Sequence, residues 1–150
     1  MIKMSEYDRE SVPSAGYPQS AGPSVVDSLR AIADDKSLVL FNAIALTGGS
    51  DTDILVKKIG LTKKQYYSRI SALVKSNLIS RKNRRYHLTS FGMIVYDAQM
   101  MIGRGVSTFW KLKAIDSLET DHKLPVNERN KIINTLIDNQ DIIEILVKEP

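Results

Sequence analysis

The chain has 150 residues, a formal net charge of +4, 43% hydrophobic and 25% charged residues, and no cysteine. That length suits one domain with a real core, and the composition is that of an ordinary globular protein. The absence of cysteine excludes a disulfide framework, a thiolate nucleophile and a cysteine-based metal site, and no uninterrupted apolar run approaches the roughly 18 residues that span a bilayer.

Residues 1–23 are rich in Ser, Gly and Pro, among them Ser11, Pro13, Ser14, Gly16, Pro18, Ser20, Gly22 and Pro23. This composition predicts a disordered tail without a core of its own. The opening Met1-Ile2-Lys3-Met4-Ser5-Glu6 lacks the apolar stretch of a secretory signal, so the cytoplasm is the expected compartment. From Ser24 the apolar residues Val25, Val26, Leu29, Ile32, Leu38, Val39, Leu40, Phe41 and Ile44 recur at helical spacing. Asp34-Asp35-Lys36 marks a break or a new N-terminus, with Ser37 near the cap, and Gly48-Gly49 ends the helix.

Ser50 or Asp51 can cap the next helix, which places Asp51 and Asp53 at its start and Lys57-Lys58 in its last turn, as the helix dipole prefers. Gly60 stops it. Leu61 follows, then Thr62 as an N-cap, then a helix over about 63–76. Its apolar stripe is Tyr66, Ile70, Leu73 and Val74; Lys63, Lys64, Gln65, Tyr67, Ser68 and Arg69 lie off it. Asn77 suits a left-handed cap. Strands over 78–82 and 85–88 with a turn at Asn83-Arg84 make a basic β-hairpin.

Thr89 then caps a long helix running to about Leu118. Gly103 and Gly105 weaken it near its middle. The Met100-Met101 pair reads as helix packing, and Trp110 as an anchor for an interface or the core. Pro125 breaks the chain. Ile132, Ile133, Leu136 and Ile137 form one amphipathic stripe, and Ile142, Ile143, Ile145, Leu146 and Val147 another.

Charge is segregated along this order. Between Asp53 and Asp97 stand ten Lys/Arg and no acid: Lys57, Lys58, Lys63, Lys64, Arg69, Lys75, Arg81, Lys82, Arg84 and Arg85. That stretch contributes +10 to a net charge of +4, leaving −6 for the rest. A localised basic run is either a solvated face or a polyanion-binding face, since neutralising phosphates releases counterions and drives binding. The order of elements favours the second reading.

Helix, helix, glycine turn, helix, basic hairpin and long helix follow one another. The segment Leu55-Val56-Lys57-Lys58-Ile59-Gly60-Leu61-Thr62-Lys63-Lys64-Gln65-Tyr66-Tyr67-Ser68-Arg69-Ile70 looks like a helix-turn-helix. Leu88-Thr89-Ser90-Phe91-Gly92 is similar to the "Leu-Thr-x-x-Gly" re-entry that follows the wing of winged-helix proteins. Over residues 25–118 the chain resembles the MarR/ArsR-like winged helix-turn-helix transcription regulators, particularly the small archaeal ones. Two positions depart from that pattern: Val56, where a small residue such as Ala is usual, and Tyr66, where Val or Ile is usual. Both imply a slightly wider helix crossing.

The resemblance implies a mainly α fold with a small β-hairpin wing: a winged helix-turn-helix over 24–92, a long dimerisation helix over 93–120 and a C-terminal helical extension over 121–150. It implies a recognition helix over about 62–76 in the major groove of double-stranded DNA. Thr62 and the helix N-terminus would meet a phosphate, and Lys63 and Arg69 belong to the same recognition positions. Lys64, Gln65 and Ser68 would read base edges. Tyr67 is either a phosphate partner or plain surface. Arg81, Lys82, Arg84 and Arg85 would reach the backbone or minor groove, and Lys57 and Lys58 would touch phosphate. The long helix, helped by 126–147, would pair two protomers; the alternative is that the C-terminal stripes fold back on their own domain.

The expected function is therefore a sequence-specific DNA-binding regulator, a repressor by default because no activation segment is recognisable, associated with the nucleoid. The alternative is a non-specific architectural or protein-interaction winged-helix module. An enzyme would need a nucleophile–base pair, paired carboxylates or a metal cluster. The acids are scattered outside the basic run, no Gly-rich phosphate loop occurs, and the two histidines, His87 and His122, lack a partner. No enzymatic activity, cofactor or metal is expected.

Overall fold

The structure is a computed structural model that describes residues 22–48, 52–121 and 123–148, without the side chains of Thr52, Asp53, Leu55 and Asp121. The expected tail lies outside these residues apart from Gly22 and Pro23, as do the expected caps Ser50 and Asp51. The described residues form eight helices and one two-stranded antiparallel hairpin. None of these helices is long and apolar enough to cross a membrane. The chain divides into two compact units, residues 1–97 and 98–150.

The first unit opens with α1 (Val25–Ala31) and α2 (Asp35–Thr47). Ser24 caps α1 by accepting from the Asp27 N–H. The helical spacing of Val25, Val26 and Leu29 yields a helix, but all three are exposed, Val25 at 77%. A seven-residue helix buries one narrow face, and here Ser28 and Ile32 occupy it. The break expected at Asp34-Asp35-Lys36 is a new N-terminus: Asp34 caps α2 by accepting from the Ser37 N–H. α2 then supplies Leu40, Phe41 and Ile44, all fully buried, and ends at Gly48 in a left-handed conformation.

α3 (Thr52–Ile59) and α4 (Lys63–Lys75) flank a sharp turn. Gly60 sits there at φ +73°, which only glycine adopts without steric cost. Its N–H and that of Leu61 both donate to the Val56 carbonyl, closing the end of α3. Leu61, Tyr66, Ile70 and Leu73 point into the core. Val74 does not: expected on the buried stripe, it is 41% exposed, because Leu73 beside it already fills the inward position of that turn. Asn77 follows at φ +59°; its N–H donates to Val74 and that of Leu78 to Leu73, so asparagine serves the left-handed end as expected.

Strands β1 (Ile79–Lys82) and β2 (Arg85–Leu88) pair as Ile79↔Leu88, Ser80↔His87, Arg81↔Tyr86 and Lys82↔Arg85. Asn83 and Arg84 make the turn at φ +53° and +64°, the two positive values of a type I′ turn, whose twist matches a hairpin. Leu78 and Ile79 root the hairpin in the core.

α5 (Ser90–Ser107) begins at Thr89, whose hydroxyl accepts from the Gly92 N–H at 2.8 Å and donates to the Asn77 carbonyl at 2.5 Å. A Cβ at Gly92 would lie 1.9 Å from the Leu78 carbonyl oxygen, so the backbones there meet at a distance only glycine allows. The first half of α5 packs Phe91, Val95 and Tyr96 on the first core, with Tyr96 edge-on to Phe41 at 6.2 Å.

The single long helix expected to about Leu118 is two helices, α5 and α6 (Phe109–Asp121), interrupted at Thr108. The glycines at 103 and 105 stay helical. At the interruption Ser107 and Thr108 both turn their hydroxyls onto the Arg104 carbonyl, at 2.9 and 2.8 Å, and that carbonyl also accepts the Thr108 N–H at 3.1 Å. In the second unit, α7 (Val126–Leu136) follows Pro125, and α8 (Gln140–Val147) is capped by Asn139. Ile115, Ile133, Ile137, Ile142 and Ile143 form a core of their own. Arg129 ties three of its helices together, donating to the Leu146 carbonyl and to the Glu119 carboxylate.

Candidate nucleic-acid interface

Every candidate residue lies in the first unit, on α3, α4 or the hairpin. Lys57 and Lys58 stand exposed in the last turn of α3. Thr62 is the N-cap of α4 and closes a capping box with Gln65: the Gln65 N–H donates to Thr62 Oγ1, and the Thr62 N–H donates to Gln65 Oε1, both at 3.1 Å. Lys63 and Lys64 occupy the first turn, which holds no acid. Lysines at the positive end of a helix dipole are unfavourable for the helix, and an anion bound there relieves both.

The exposed face of α4 continues through Tyr67 and Ser68. Tyr67 is 59% exposed, and its ring is fixed edge-on to the buried Tyr66 ring at 5.4 Å. Its orientation is thus set by the core beneath it. Arg69 is different. Its Nε donates to Asp34 Oδ1 at 3.3 Å and its Nη1 to the Gln65 carbonyl at 3.5 Å. The Asp34 carboxyl is held below its usual range, chiefly by the Ser37 hydroxyl and then its N–H; burial opposes them, and Arg69 adds a smaller lowering effect.

The hairpin carries Arg81, Lys82, Arg84 and Arg85, all exposed. The Arg81 guanidinium lies 6.0 Å from the centre of the Tyr86 ring directly across the strands. Lys82 and Arg85 also face each other across the ladder, a like-charge pair that destabilises it. Arg84 holds a left-handed conformation at φ +64°, where a non-glycine residue costs about 1–2 kcal/mol. Among the described residues, Arg69 is the one cation of the basic run that meets a carboxylate.

Thus the residues named from the sequence divide. Thr62, Gln65 and Arg69 are engaged within the protein. Lys57, Lys58, Lys63, Lys64, Tyr67, Ser68 and the four hairpin cations present their polar ends to solvent. Asp34 was missed as part of this surface. Its capping role shows in the spacing to Ser37, but its pairing with Arg69 spans 35 residues and has no local signal. Among the described residues, no three His, Cys, Asp or Glu side chains gather as a metal-binding group. No family model, no curated protein and no solved structure matches the chain.

Proposed function

We propose that the chain is a sequence-specific double-stranded DNA-binding transcription regulator, acting as a repressor, with a winged helix-turn-helix in its first unit. α4 is the recognition helix in the major groove, and the hairpin is the wing on the backbone or minor groove. The wing carries the proposal: four exposed cations without a carboxylate partner among the described residues, a like-charge pair facing across the ladder and an arginine in a strained turn. Each lowers the stability of the hairpin in isolation, and each is relieved or put to use when phosphates lie alongside. Lys64 and Ser68 are the base-facing residues of α4; Tyr67, Lys57, Lys58 and the helix N-terminus at Thr62 and Lys63 face phosphate. Two protomers pair through the exposed apolar residues of α5 and α6, which doubles the phosphate contacts and fixes the half-site spacing.

The engagement of Gln65 and Arg69 within the protein favours a second reading, architectural binding with little sequence preference, because it withdraws two side chains able to pair with base edges. Fluorescence anisotropy separates the two. A duplex from upstream of the protein's own gene and a random duplex are titrated over a series of salt concentrations. A regulator prefers the first, with a log–log salt slope near about −5 per protomer if about six phosphates are neutralised. Replacing Arg84 and Arg85 together by Ala weakens binding to both duplexes alike and flattens the slope by about 1.8, while Lys64→Ala mainly alters preference. Equal binding of both duplexes by the wild-type chain supports the architectural reading, and no binding at low salt rejects both.

A further inference from the structure

Arg69 lies on the proposed recognition helix, yet its surroundings are those of a structural tie. Its side chain is 26% exposed, and its guanidinium is directed onto Asp34 and the Gln65 carbonyl. Asp34 is itself immobilised: Oδ1 accepts from the Ser37 N–H at 3.0 Å, and Oδ2 accepts from the Ser37 hydroxyl at 2.5 Å. That carboxylate caps α2, the helix whose Leu40, Phe41 and Ile44 sit at the centre of the core. The anchor is therefore rigid, and α4 is bound to it one turn after the capping box that organises its first residues.

Resting on the DNA-binding reading of α4, we propose that Asp34 and Arg69 are positioning residues. Together they fix the attitude of α4 against α2, and Arg69 makes no contact with phosphate. The helix then presents Lys64, Tyr67 and Ser68 in one register, and sequence preference depends on a carboxylate that never touches the duplex. A phosphate-binding Arg69 makes the opposite prediction. In that case Asp34 competes with the duplex, so removing Asp34 strengthens binding to every sequence and steepens the salt slope, and removing Arg69 flattens it.

The test uses the full chain, a duplex selected from a random pool and a scrambled duplex of equal length. Asp34→Asn retains an acceptor for the Ser37 N–H, so α2 stays capped while the charge is lost. Arg69→Met keeps the aliphatic stem. Kd is measured for both duplexes across a salt series for the wild type, each single variant and the double variant, with thermal melting as the check on folding. The expected result is a loss of preference by about three- to fivefold in each single variant, as an exposed ion pair supplies, and no further loss in the double variant. The salt slope stays that of the wild type. A slope lower by about 0.9 in Arg69→Met, or tighter binding of both duplexes by Asp34→Asn, overturns the proposal.

The NMR signal of the Arg69 Nε–H gives a readout independent of preference. It is expected to keep its position when saturating duplex is added and to move in Asp34→Asn whether or not duplex is present. A signal that moves on duplex addition in the wild type overturns the proposal. If the wild type binds neither duplex at low salt, the DNA-binding reading itself fails and the proposal falls with it, a result distinct from a changed slope.

Discussion

At the scale of single residues, the junction between the hairpin and α5 is set by one side chain and one missing side chain. The Thr89 hydroxyl bridges the Asn77 carbonyl and the Gly92 N–H, and the Thr89 N–H donates to the Leu78 carbonyl at 3.1 Å. Gly92 lies against that same carbonyl, which is backbone and already engaged. Gly92→Ala therefore forces the start of α5 away from Leu78, with a loss of about 1–3 kcal/mol of the kind overpacking produces. Gly103→Ala is the matched control: nothing lies within 4 Å of a Cβ there, and the residue is helical. It is expected to stabilise by about 0.5–1 kcal/mol. Urea unfolding of the two variants checks both signs, and a neutral Gly92→Ala would mean that the close approach does not constrain the fold. The Leu-Thr-x-x-Gly spacing was legible in the sequence as a resemblance and, at Thr89, as a cap, but the close contact behind its glycine reaches back to Leu78 and has no local signal. Nor was the engagement of Arg69 legible, because its partner is 35 residues away and the sequence marks Asp34 only as a cap.

At the scale of elements, local chemistry set most boundaries. Gly60, Thr62, Asn77 and the Asn83-Arg84 turn each need a particular backbone conformation, and each stands where the sequence predicts an end or a turn. The interruption at Thr108 escaped notice for the complementary reason. Gly103 and Gly105 carry the stronger helix-weakening signal, but they stay helical and the interruption comes further on, at Thr108, where two hydroxyls gather on the Arg104 carbonyl. Exposure within helices was equally hard to read: Val25, Leu29 and Val74 fit helical spacing, yet spacing alone does not say which of two adjacent faces the core takes. The hairpin turn offers a test of the proposed role of the hairpin. Glycine at the second turn position removes the left-handed strain, so Arg84→Gly is expected to stabilise the chain by up to about 1 kcal/mol. The same change removes one cation and is expected to flatten the salt slope of duplex binding by about 0.9. A rise in melting temperature together with a weaker, less salt-sensitive complex is the expected pair of results. Unchanged binding would remove Arg84 from the phosphate contacts.

At the scale of the whole molecule, the two units differ in charge and in surface. Residues 1–97 hold fourteen Lys/Arg and nine Asp/Glu, and residues 98–150 hold seven and eight. In the second unit, Arg104 pairs with Asp141 and Lys111 with Asp138. The excess positive charge, of the kind that would draw in a polyanion, therefore belongs to the first unit. The second unit instead exposes Ile102, Val106, Phe109 and Trp110, with Trp110 the most exposed at 76%. Ile102 and Val106, four apart, share one side of α5, and Phe109 and Trp110 open α6 just beyond the interruption. Trp110, expected to anchor an interface or the core, is not in the core. A row of exposed apolar residues is the usual mark of a surface that meets another protein, and tryptophan is enriched at the centre of such surfaces. The proposed occupant is the same row of a second copy, because a two-fold pair presents two recognition helices to one duplex. Light scattering after size exclusion is then expected to give about twice the 16.8 kDa chain mass at micromolar concentration. Val106→Glu with Trp110→Glu places two carboxylates in that row on each protomer, and the variant is expected to run as a monomer with its helical circular dichroism retained, since neither residue belongs to a core. Its affinity for the selected duplex is expected to fall by about two orders of magnitude, the order by which linking two binding modules raises affinity. A wild-type chain that stays at 16.8 kDa across the same concentrations, or a double variant that keeps the doubled mass, removes this row from the dimer and leaves the first unit to bind DNA alone.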